Sequence, residues 1–348
     1  MKKQIIFSII IITLISCTKT IEFNDEGLAN QVIVNCIVSP EGKFQTNLTK
    51  STSILEDRQN NPPTNGSLNL FEDGILIKSF PYQSGGFYME GNMLHAGKTY
   101  KMVITSNGKK LEAETSIPQK AEVISVDTSS VKNEFGRWTD YKVNIKDPSG
   151  EDFYRLVIMS ESLSFYTSKD SLGNDKRHYT KSTFQTLFTS DDPVLKSLYN
   201  NFGQDLIDAG PSNDYEIFTD DYFQGKEYSL KFQVFNGYHG YYGDGGGYGY
   251  SDPGNPNLSS GIISQRYIIH VQKLSKELFN YLKYLNLYNF YHDNPFSEPV
   301  PVYSNIKNGI GIFAGFNDDA LFKYDKIYVP FSMDTIKIEN GSNGYTYY

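Results

Sequence analysis

Alternating hydrophobic and polar positions recur along the chain and predict a protein built mainly of β-strands. Successive side chains of a strand point to opposite faces, so a single buried face produces this period of two. The pattern is clearest in Lys226–Phe235, where single polar residues separate the apolar ones. Other segments with strand character are Gln31–Val38, Thr99–Ser106, Lys109–Thr115, Tyr141–Lys146, Phe153–Met159 and Arg266–Leu274.

Two dipeptides mark tight hairpin turns in the N-terminal third of the chain. Asp73-Gly74 separates two strand-like runs, and Asn107-Gly108 separates two more. These turns need positive φ, which Gly, Asn and Asp tolerate. Closely spaced strands without a helical period predict a small antiparallel β-sandwich, immunoglobulin-like or prealbumin-like, over residues 31–118. Pro118 ends it, because proline cannot donate to a continuing ladder.

Residues 121–348 are predicted to form a second β-sandwich with long insertions. The turn Asp147-Pro148-Ser149-Gly150 predicts a hairpin between Tyr141–Lys146 and Phe153–Met159. The insertion over residues 160–217 is interpreted as polar loops with one short helix at Pro193–Phe202. Asp192 is the predicted N-cap of that helix.

One amphipathic helix is predicted near the C-terminus, within the segment Leu274–Phe316. Ser275 provides a cap, and Glu277 lies in the favourable first turn. A helical period places apolar residues on one face, and the segment is interpreted as closing the second domain. The predicted face comprises Leu278, Leu282, Leu285 and Asn289, with Tyr281, Tyr284, Tyr288 and Tyr291 beside it.

The N-terminus carries the most specific motif in the chain. Two lysines precede an apolar run that is too short to span a bilayer, which is typical of a signal peptide over residues 1–16. The run ends Leu14-Ile15-Ser16-Cys17, which resembles the bacterial lipobox. Lipidation of Cys17 is therefore predicted, with residues 17–30 as a polar tether. The alternative is an ordinary secretory signal with a chance cysteine.

Composition narrows the partners and the chemistry. The net charge is −8 and no block of basic residues occurs, which argues against binding nucleic acid. Two cysteines cannot build a disulfide framework. Cys36 alternates in phase with valines in Gln31–Val38, so a buried strand position is predicted rather than a reactive thiol.

No catalytic residue, metal site or cofactor is predicted from motifs. The histidines are scattered, and no zinc, phosphate-loop or nucleophile-elbow pattern occurs. The acidic pairs Asp191-Asp192, Asp220-Asp221 and Asp318-Asp319 could be paired carboxylates or calcium ligands. Turn and cap positions on a solvated surface are favoured, because no twelve-residue calcium loop accompanies them.

The segment Gly237–Asn257 is a glycine- and tyrosine-rich loop. Tyrosine offers a large contact area with a polar end, as in antibody loops. Two interpretations remain open: a ligand- or partner-binding loop, or a surface loop without a role. The candidate binding residues are Tyr238, Tyr241, Tyr242, Tyr248 and Tyr250.

Several segments together resemble a known family. KELFNYLKYL, followed by NPFSEPVPVYSNIKNGIGIFAG, resembles the C-terminal signature of the Bacteroidota domain-of-unknown-function 4249 lipoproteins. VNCIVSPEG, LFEDG, HAGKTY, IKDPSGEDFYRL and FTDDYFQGKEYSLKF agree with it in order. The resemblance implies an outer-membrane lipoprotein, often encoded near a SusC-like TonB-dependent transporter. It implies no established activity and no catalytic residues.

These observations lead to one favoured function and two alternatives. The favoured one is a non-enzymatic lipoprotein, anchored in the outer membrane through its lipid, that assists a SusC-like TonB-dependent transporter or binds its ligand. Exposure on the cell surface is favoured over the periplasmic face. The first alternative is a structural, adhesive or assembly component of an envelope complex. The second is an enzyme such as a glycan hydrolase.

Overall fold

The computed structural model of the chain describes residues 31–52, 62–63, 65–83, 86–89, 94–133, 136–196, 198, 211–237, 260–294, 297–323 and 338–340. Within these ranges, strands far outnumber helices and stack as layered sheets. The predicted mainly β architecture is therefore confirmed. How the chain divides into independently folding domains stays a prediction.

The first sandwich buries the apolar faces of two sheets against each other. One sheet contains β3 (Ser67–Glu72), β4 (Ile75–Pro81), β6 (Lys98–Ser106) and β7 (Lys109–Ile117) in the order β4-β3-β6-β7. The facing strands are β1 (Val32–Val38), β2 (Phe44–Lys50) and β5 (Gly86–Met89). Their core includes Val34, Leu48, Leu70, Tyr100 and Phe313.

Both predicted hairpin turns of this sandwich are confirmed. Asp73 and Gly74 have φ values of 47° and 84°, and Asn107 and Gly108 have φ values of 49° and 75°. All four lie in the left-handed region, as a two-residue turn between right-twisted strands requires. Cys36 is buried in the core, as predicted, and burial raises the pKa of its thiol to about 12.

The second sandwich repeats this layering with longer strands. One sheet contains β8 (Glu122–Asn133), β9 (Gly136–Lys146), β12 (Phe188–Thr189) and β14 (Glu227–Gly237) in the order β12-β14-β9-β8. The facing strands are β10 (Phe153–Lys169), β11 (Asp175–Gln185), β13 (Ile217–Thr219) and β15 (Ser260–Leu274). Their core includes Val143, Leu156, Phe218, Leu230 and Ile269.

The predicted hairpin between β9 and β10 is wrong. Strand β9 pairs with β8 on one edge and with β14 on the other, so neither edge is open to β10. Strand β10 pairs instead with β11, β13 and β15 in the facing sheet. The segment from Asp147 to Asp152 therefore crosses from one sheet to the other at the end of the sandwich.

The predicted loop character of residues 160–185 is also wrong. Strand β10 continues to Lys169 and pairs with β11 from Met159–Gln185 to Lys169–Asp175. Strand β11 is half-buried or exposed throughout, so no alternation of apolar and polar residues reveals it. The predicted helix is present as α1 (Pro193–Lys196), and residues 197 and 199–202 lie outside the described residues.

One long sheet runs through both sandwiches. Strand β16 (Ile310–Lys323) pairs in parallel with β1 and antiparallel with β15, and β17 (Ile338–Asn340) pairs with β11. The order is β17-β11-β10-β15-β16-β1-β2-β5. Gly311 faces Val34 in this pairing, and a Cβ there would overlap the Val34 carbonyl oxygen. Strand β16 thus belongs to both sandwiches, whereas the sequence interpretation assigned it to closing the second alone.

The predicted C-terminal helix is present as α2 (Lys276–Tyr291). The Ser275 hydroxyl accepts the N–H of Leu278 at 3.2 Å and that of Gly315 at 3.2 Å, which caps the helix and ties it to β16. Leu278 and Leu282 are buried as predicted, together with Asn286 and Leu287, whereas Leu285 is half-buried and Asn289 is exposed. The buried face departs from the predicted one only in the second half of the helix, where Asn286 bonds to the backbone of residues 212–214.

Candidate functional site

The residues predicted to carry function lie outside the described part of the chain. These are Cys17 and the tyrosines Tyr238, Tyr241, Tyr242, Tyr248 and Tyr250. Strands β14 and β15, which precede and follow the tyrosine-rich loop, lie in the two opposing sheets of the second sandwich. The lipidation and binding roles of these residues stay predictions.

A groove of about 900 Å³ opens on the second sandwich, along strands β8, β9 and β14. The alternation of these strands sends Val143 and Leu230 into the core and leaves their polar neighbours on the outer face. The polar lining includes Asp127, Ser129, Asp140, Lys142, Lys231 and Gln233. The groove therefore offers charged and amide groups to a polar partner.

Hydrogen bonds between neighbouring strands hold this polar face in place. Gln233 Nε2 donates to Asp140 Oδ1 at 2.8 Å, and Ser129 Oγ donates to Asp140 Oδ2 at 3.3 Å. Asn144 Nδ2 donates to Asp127 Oδ2 at 3.1 Å. These cross-strand pairs order the side chains before any ligand arrives, which lowers the entropic cost of binding.

Asp192 fixes one wall of the groove. Its carboxylate accepts the N–H of Val194 at 3.1 Å, the hydroxyl of Tyr228 at 2.5 Å and the N–H of Lys231 at 3.0 Å. Burial, reinforced by the bond to Asp192, raises the pKa of Tyr228, so its hydroxyl stays a donor. Asp192 therefore caps α1, which confirms its predicted role. It also attaches the segment before that helix to β14.

A second polar cluster lies at the end of the same sandwich, where the chain crosses between sheets. Asp147 follows β9, Asp152 precedes β10, and Asp220 follows β13. One carboxylate oxygen from each lies within 4.8 Å of the others. Asp147 and Asp220 are buried and Asp152 is half-buried. The fold thus brings together three acidic groups that are distant in sequence.

The donors around this cluster are unevenly shared. Tyr154 donates its hydroxyl to Asp147 Oδ1 at 2.5 Å, and the Gly225 N–H donates to Asp147 Oδ2 at 2.9 Å. Lys273 Nζ lies 2.6 Å from Asp152 Oδ2 and also faces the ring of Tyr154. Burial raises the pKa of the Asp220 carboxyl, the nearby backbone N–H groups of Asp152 and Asp220 oppose this only in part, and repulsion from Asp147 and Asp152 adds to it.

The acidic pairs noted in the sequence divide between two kinds of environment. Asp191 is exposed and pairs with Lys196, and Asp318 Oδ2 lies 2.8 Å from His270 Nδ1. Asp192 keeps its predicted cap role but is buried against β14, and Asp220 belongs to the buried cluster. For Asp220, the expectation of a solvated turn residue is wrong, because its backbone N–H bonds to the Asp152 carbonyl and draws the residue inward.

Sequence reasoning missed a Ser–His pair on the hairpin of β10 and β11. Ser168 Oγ lies 2.8 Å from His178 Nε2, and the His178 ring stacks on Tyr166 with centroids 4.7 Å apart. These residues lie on neighbouring strands, and Tyr166 and His178 face each other in register. Only knowledge of the strand pairing could have revealed this contact, whose position on a half-exposed hairpin fits a cross-strand packing role.

Comparisons with known proteins identify a family but no activity. The family model "Domain of unknown function (DUF4249)" matches residues 18–320. No curated protein matches the sequence at a significant level. Within the described residues, no helix is long and apolar enough to cross a bilayer.

A weak likeness links this chain to a solved structure. It is described as a "Putative membrane anchored protein" from Corynebacterium diphtheriae and is 12% identical over 70% of this chain. The match spans 54% of that chain, about half its length. Its TM-score is 0.19, which is too low to relate the two folds.

Proposed function

Since the chain belongs to the DUF4249 family, we propose that it is a non-enzymatic accessory lipoprotein of a SusC-like TonB-dependent transporter in the outer membrane. In this proposal, Cys17 carries the lipid anchor and the second sandwich carries the binding surface. The protein would bind the transporter, its substrate, or both, with surface exposure favoured.

The polar groove on β8, β9 and β14 is the observation that carries the binding role. A groove of about 900 Å³ has the size of a small-molecule site or of a recess for a protruding peptide segment. Its lining presents positively and negatively charged side chains as well as amides. Cross-strand hydrogen bonds already order several of them. A polar ligand, such as a sugar or a charged peptide, matches this surface better than an apolar one.

The chemistry of the groove supports binding rather than catalysis. Its best-defined carboxylate, Asp192, is engaged by three donors that maintain the wall. A general acid or base must instead present a free position to a reacting proton. No catalytic family is indicated by the comparisons.

Affinity capture from native outer membranes tests the transporter partnership. The full-length lipoprotein is compared with a groove variant, Lys142→Glu/Lys231→Glu, and with a control, Lys78→Glu/Lys109→Glu. All four lysines are exposed, and the control changes the charge equally on the first sandwich. We expect the wild type and the control to recover a TonB-dependent transporter, and the groove variant to recover at least tenfold less.

Two outcomes would contradict this proposal. If the wild type repeatedly failed to recover such a transporter, the proposed partnership would be contradicted. If the groove and control variants recovered equal amounts, the groove would not be the contact surface.

The anchor is tested separately by Cys17→Ser. Lipidation needs the thiol, so the variant should lose its acyl mass and leave the membrane fraction. Mass spectrometry and cell fractionation measure both effects. An unlipidated wild-type chain would contradict the lipid anchor.

A further inference from the structure

We propose that Asp147, Asp152 and Asp220 form a binding site for a hard divalent cation, with Ca²⁺ preferred to Mg²⁺. The site lies at the end of the second sandwich, where the Asp147–Asp152 crossover meets the segment after β13. It is distinct from the polar groove, and its argument does not depend on the transporter proposal.

The spacing of the three carboxylates suits a single Ca²⁺ ion. Oxygen ligands lie about 2.3–2.6 Å from Ca²⁺, so two ligands on opposite sides of the ion are about 4.8 Å apart. One oxygen from each aspartate lies within 4.8 Å of the others. A single ion between them can therefore contact all three residues, with the remaining ligands supplied by water.

The charges around the cluster leave a surplus that a divalent cation would neutralise. Three carboxylates carry three negative charges when ionised. Among the described residues, Lys273 forms the ion pair with this cluster, through Asp152 at 2.6 Å. The balance of two negative charges lies largely out of water, where an uncompensated charge is costly.

Asp220 provides independent support, because its side chain is buried without a partner. It is 1% exposed, and neither of its carboxylate oxygens accepts a hydrogen bond of ordinary geometry among the described residues, although the backbone N–H groups of Asp152 and Asp220 lie nearby. Buried polar atoms are almost always satisfied, so an orphaned carboxylate points to a missing ligand. Its oxygen faces those of Asp147 and Asp152, which are themselves acceptors. A cation supplies what the protein's own donors do not.

The donor set selects the class of metal. All three candidate ligands are carboxylates, without the imidazole or thiolate that zinc and copper prefer. Hard cations take oxygen ligands, and Ca²⁺ accepts irregular geometry more readily than Mg²⁺. Since Lys273 opposes the cation, we expect an affinity on the order of 10⁻⁴–10⁻³ M, as in extracellular calcium modules.

A bound cation would add a further link between two segments that hydrogen bonds already join. Gly225 N–H donates to Asp147 and Gln224 donates to Gly150, while Asp147 N–H donates to the Lys226 carbonyl and Asp220 N–H to the Asp152 carbonyl. Binding would replace repulsion among the carboxylates with shared attraction to one ion. The ion should therefore raise the stability of the whole chain by mass action.

Thermal unfolding of the detergent-solubilised full-length protein tests the site. After chelation and removal of metal, CaCl₂ is titrated at pH 7.5, with MgCl₂ and NaCl of matched ionic strength in parallel. At 100 times Kd, Ca²⁺ should raise Tm by about 5 °C, and Mg²⁺ by clearly less. Calorimetry should show one ion per chain.

Asp220→Asn and Asp221→Asn form a matched pair of variants. Asp221 is the next residue, is exposed and accepts the Thr219 hydroxyl at 2.7 Å. Without metal, Asp220→Asn should unfold at a higher temperature than the wild type, because a buried charge is removed. It should lose the Ca²⁺ shift, whereas Asp221→Asn should retain it. A purely structural role for Asp220 predicts lower stability instead.

A second variant and a second probe cover the case in which Asp220→Asn does not fold. Asp152→Asn should also lose the Ca²⁺ response. TbCl₃ should bind the wild type and show luminescence sensitised by Tyr154, which lies against Asp147. CaCl₂ should displace that signal.

Several results would overturn the assignment. A wild-type Tm that is independent of Ca²⁺ would show that the cluster binds no cation. An equal Ca²⁺ shift in Asp220→Asn would show that Ca²⁺ binds without Asp220. An equal response to Mg²⁺ would overturn the preference for Ca²⁺. None of these readouts involves the transporter, so failure of the cation site and failure of the proposed function remain distinguishable.

Discussion

Each sandwich buries a tyrosine against a carboxylate, and the two surroundings differ in charge. Tyr100 in the first sandwich and Tyr154 in the second are both fully buried. Each hydroxyl donates to a carboxylate at 2.5 Å, Tyr100 to Glu72 and Tyr154 to Asp147. The shared element is therefore a buried aromatic ring whose polar end is satisfied by an acid.

In the first sandwich, each nearby acid has its own partners. Glu72 also contacts His95 Nδ1 at 2.8 Å, and Asp73 contacts Lys98 Nζ at 2.7 Å. The hydrogen bonds from His95 and Tyr100 lower the pKa of Glu72. This arrangement favours the ionised acid and needs nothing from outside the chain.

In the second sandwich, the acids outnumber their partners. Asp147 and Asp152 take the side-chain donors of the cluster, and Asp220 accepts no hydrogen bond of ordinary geometry among the described residues. Glu216 directly precedes β13, on the same segment as Asp220. Burial raises the pKa of its carboxyl to about 8, although the positive charge of Arg155 lowers it. A buried tyrosine–carboxylate pair is therefore structural where the surrounding charges balance. Where the carboxylates outnumber their partners, the same pair lies beside a candidate binding site.

The largest expected effect tests whether the two sandwiches depend on one shared strand. Gly311 has φ of 117°, and a Cβ would overlap the Val34 carbonyl oxygen of β1. Gly311→Ala should cost about 5 kcal/mol or more and weaken both sandwiches together, measured by denaturant unfolding. The control Gly173→Ala has φ of 82° but open space, and should cost about 1 kcal/mol. Equal losses would show that the β1–β16 contact is dispensable.

The next effect tests the charge imbalance directly. Lys273→Met removes the lysine from a buried pair with Asp152 and should destabilise the metal-free protein by about 3–5 kcal/mol. Lys98→Met removes a half-exposed lysine from Asp73 and should leave the unfolding midpoint almost unchanged. Comparable shifts in the two variants would remove the distinction between the two sandwiches.

A pH-dependent effect of intermediate size is expected at Glu216. Its pKa is about 8 in the folded chain, against 4.5 as the ordinary value. Between these values the unfolded chain releases a proton that the folded chain keeps, so stability falls as pH rises. Glu216→Gln should remove this loss and stabilise the protein by roughly 2–4 kcal/mol at pH 8–9, with little change at pH 4. Chemical denaturation across pH measures it, and a pH-independent difference would contradict it.

The smallest effect is expected at the Tyr100–Glu72 pair of the first sandwich. Here stability rises with pH, opposite to the trend at Glu216. The lowered pKa of Glu72 contributes stability that is present above its ordinary value of 4.5 and is lost as pH falls through the folded value. Tyr100→Phe removes one donor and should cost about 1–2 kcal/mol at pH 7, and less below pH 4. Unfolding midpoints at both pH values measure it. A cost that grows at low pH would show that Glu72 is not the partner that matters.

Local sequence patterns predicted the parts of the fold that local geometry controls. The two turns at Asp73-Gly74 and Asn107-Gly108, the strand character of Lys226–Phe235 and the Ser275 cap were all recoverable. Each depends on a residue's own φ preference or on the period of its neighbours. The hairpin of β10 and β11 escaped prediction, because a half-exposed strand leaves no alternation to detect.

The candidate cation site likewise combines a part that the sequence indicated and a part that it did not. The sequence identified Asp220 within an acidic pair but could not place Asp147 and Asp152 beside it. Their proximity arises because β9 and β10 lie in different sheets, which forces the Asp147–Asp152 segment to cross the end of the sandwich. A pattern along one chain segment carries no information about which distant loops meet.

The sequence by itself determined the β-rich architecture, the helix at Lys276–Tyr291 and the family, since propensity, period and short motifs are properties of neighbouring residues. Only the tertiary structure decided that β16 joins two sandwiches and that three aspartates share one buried cluster. Strand partners and burial depend on contacts between residues far apart in the chain. Those contacts decide which carboxylates remain solvated and which are left facing one another without a donor.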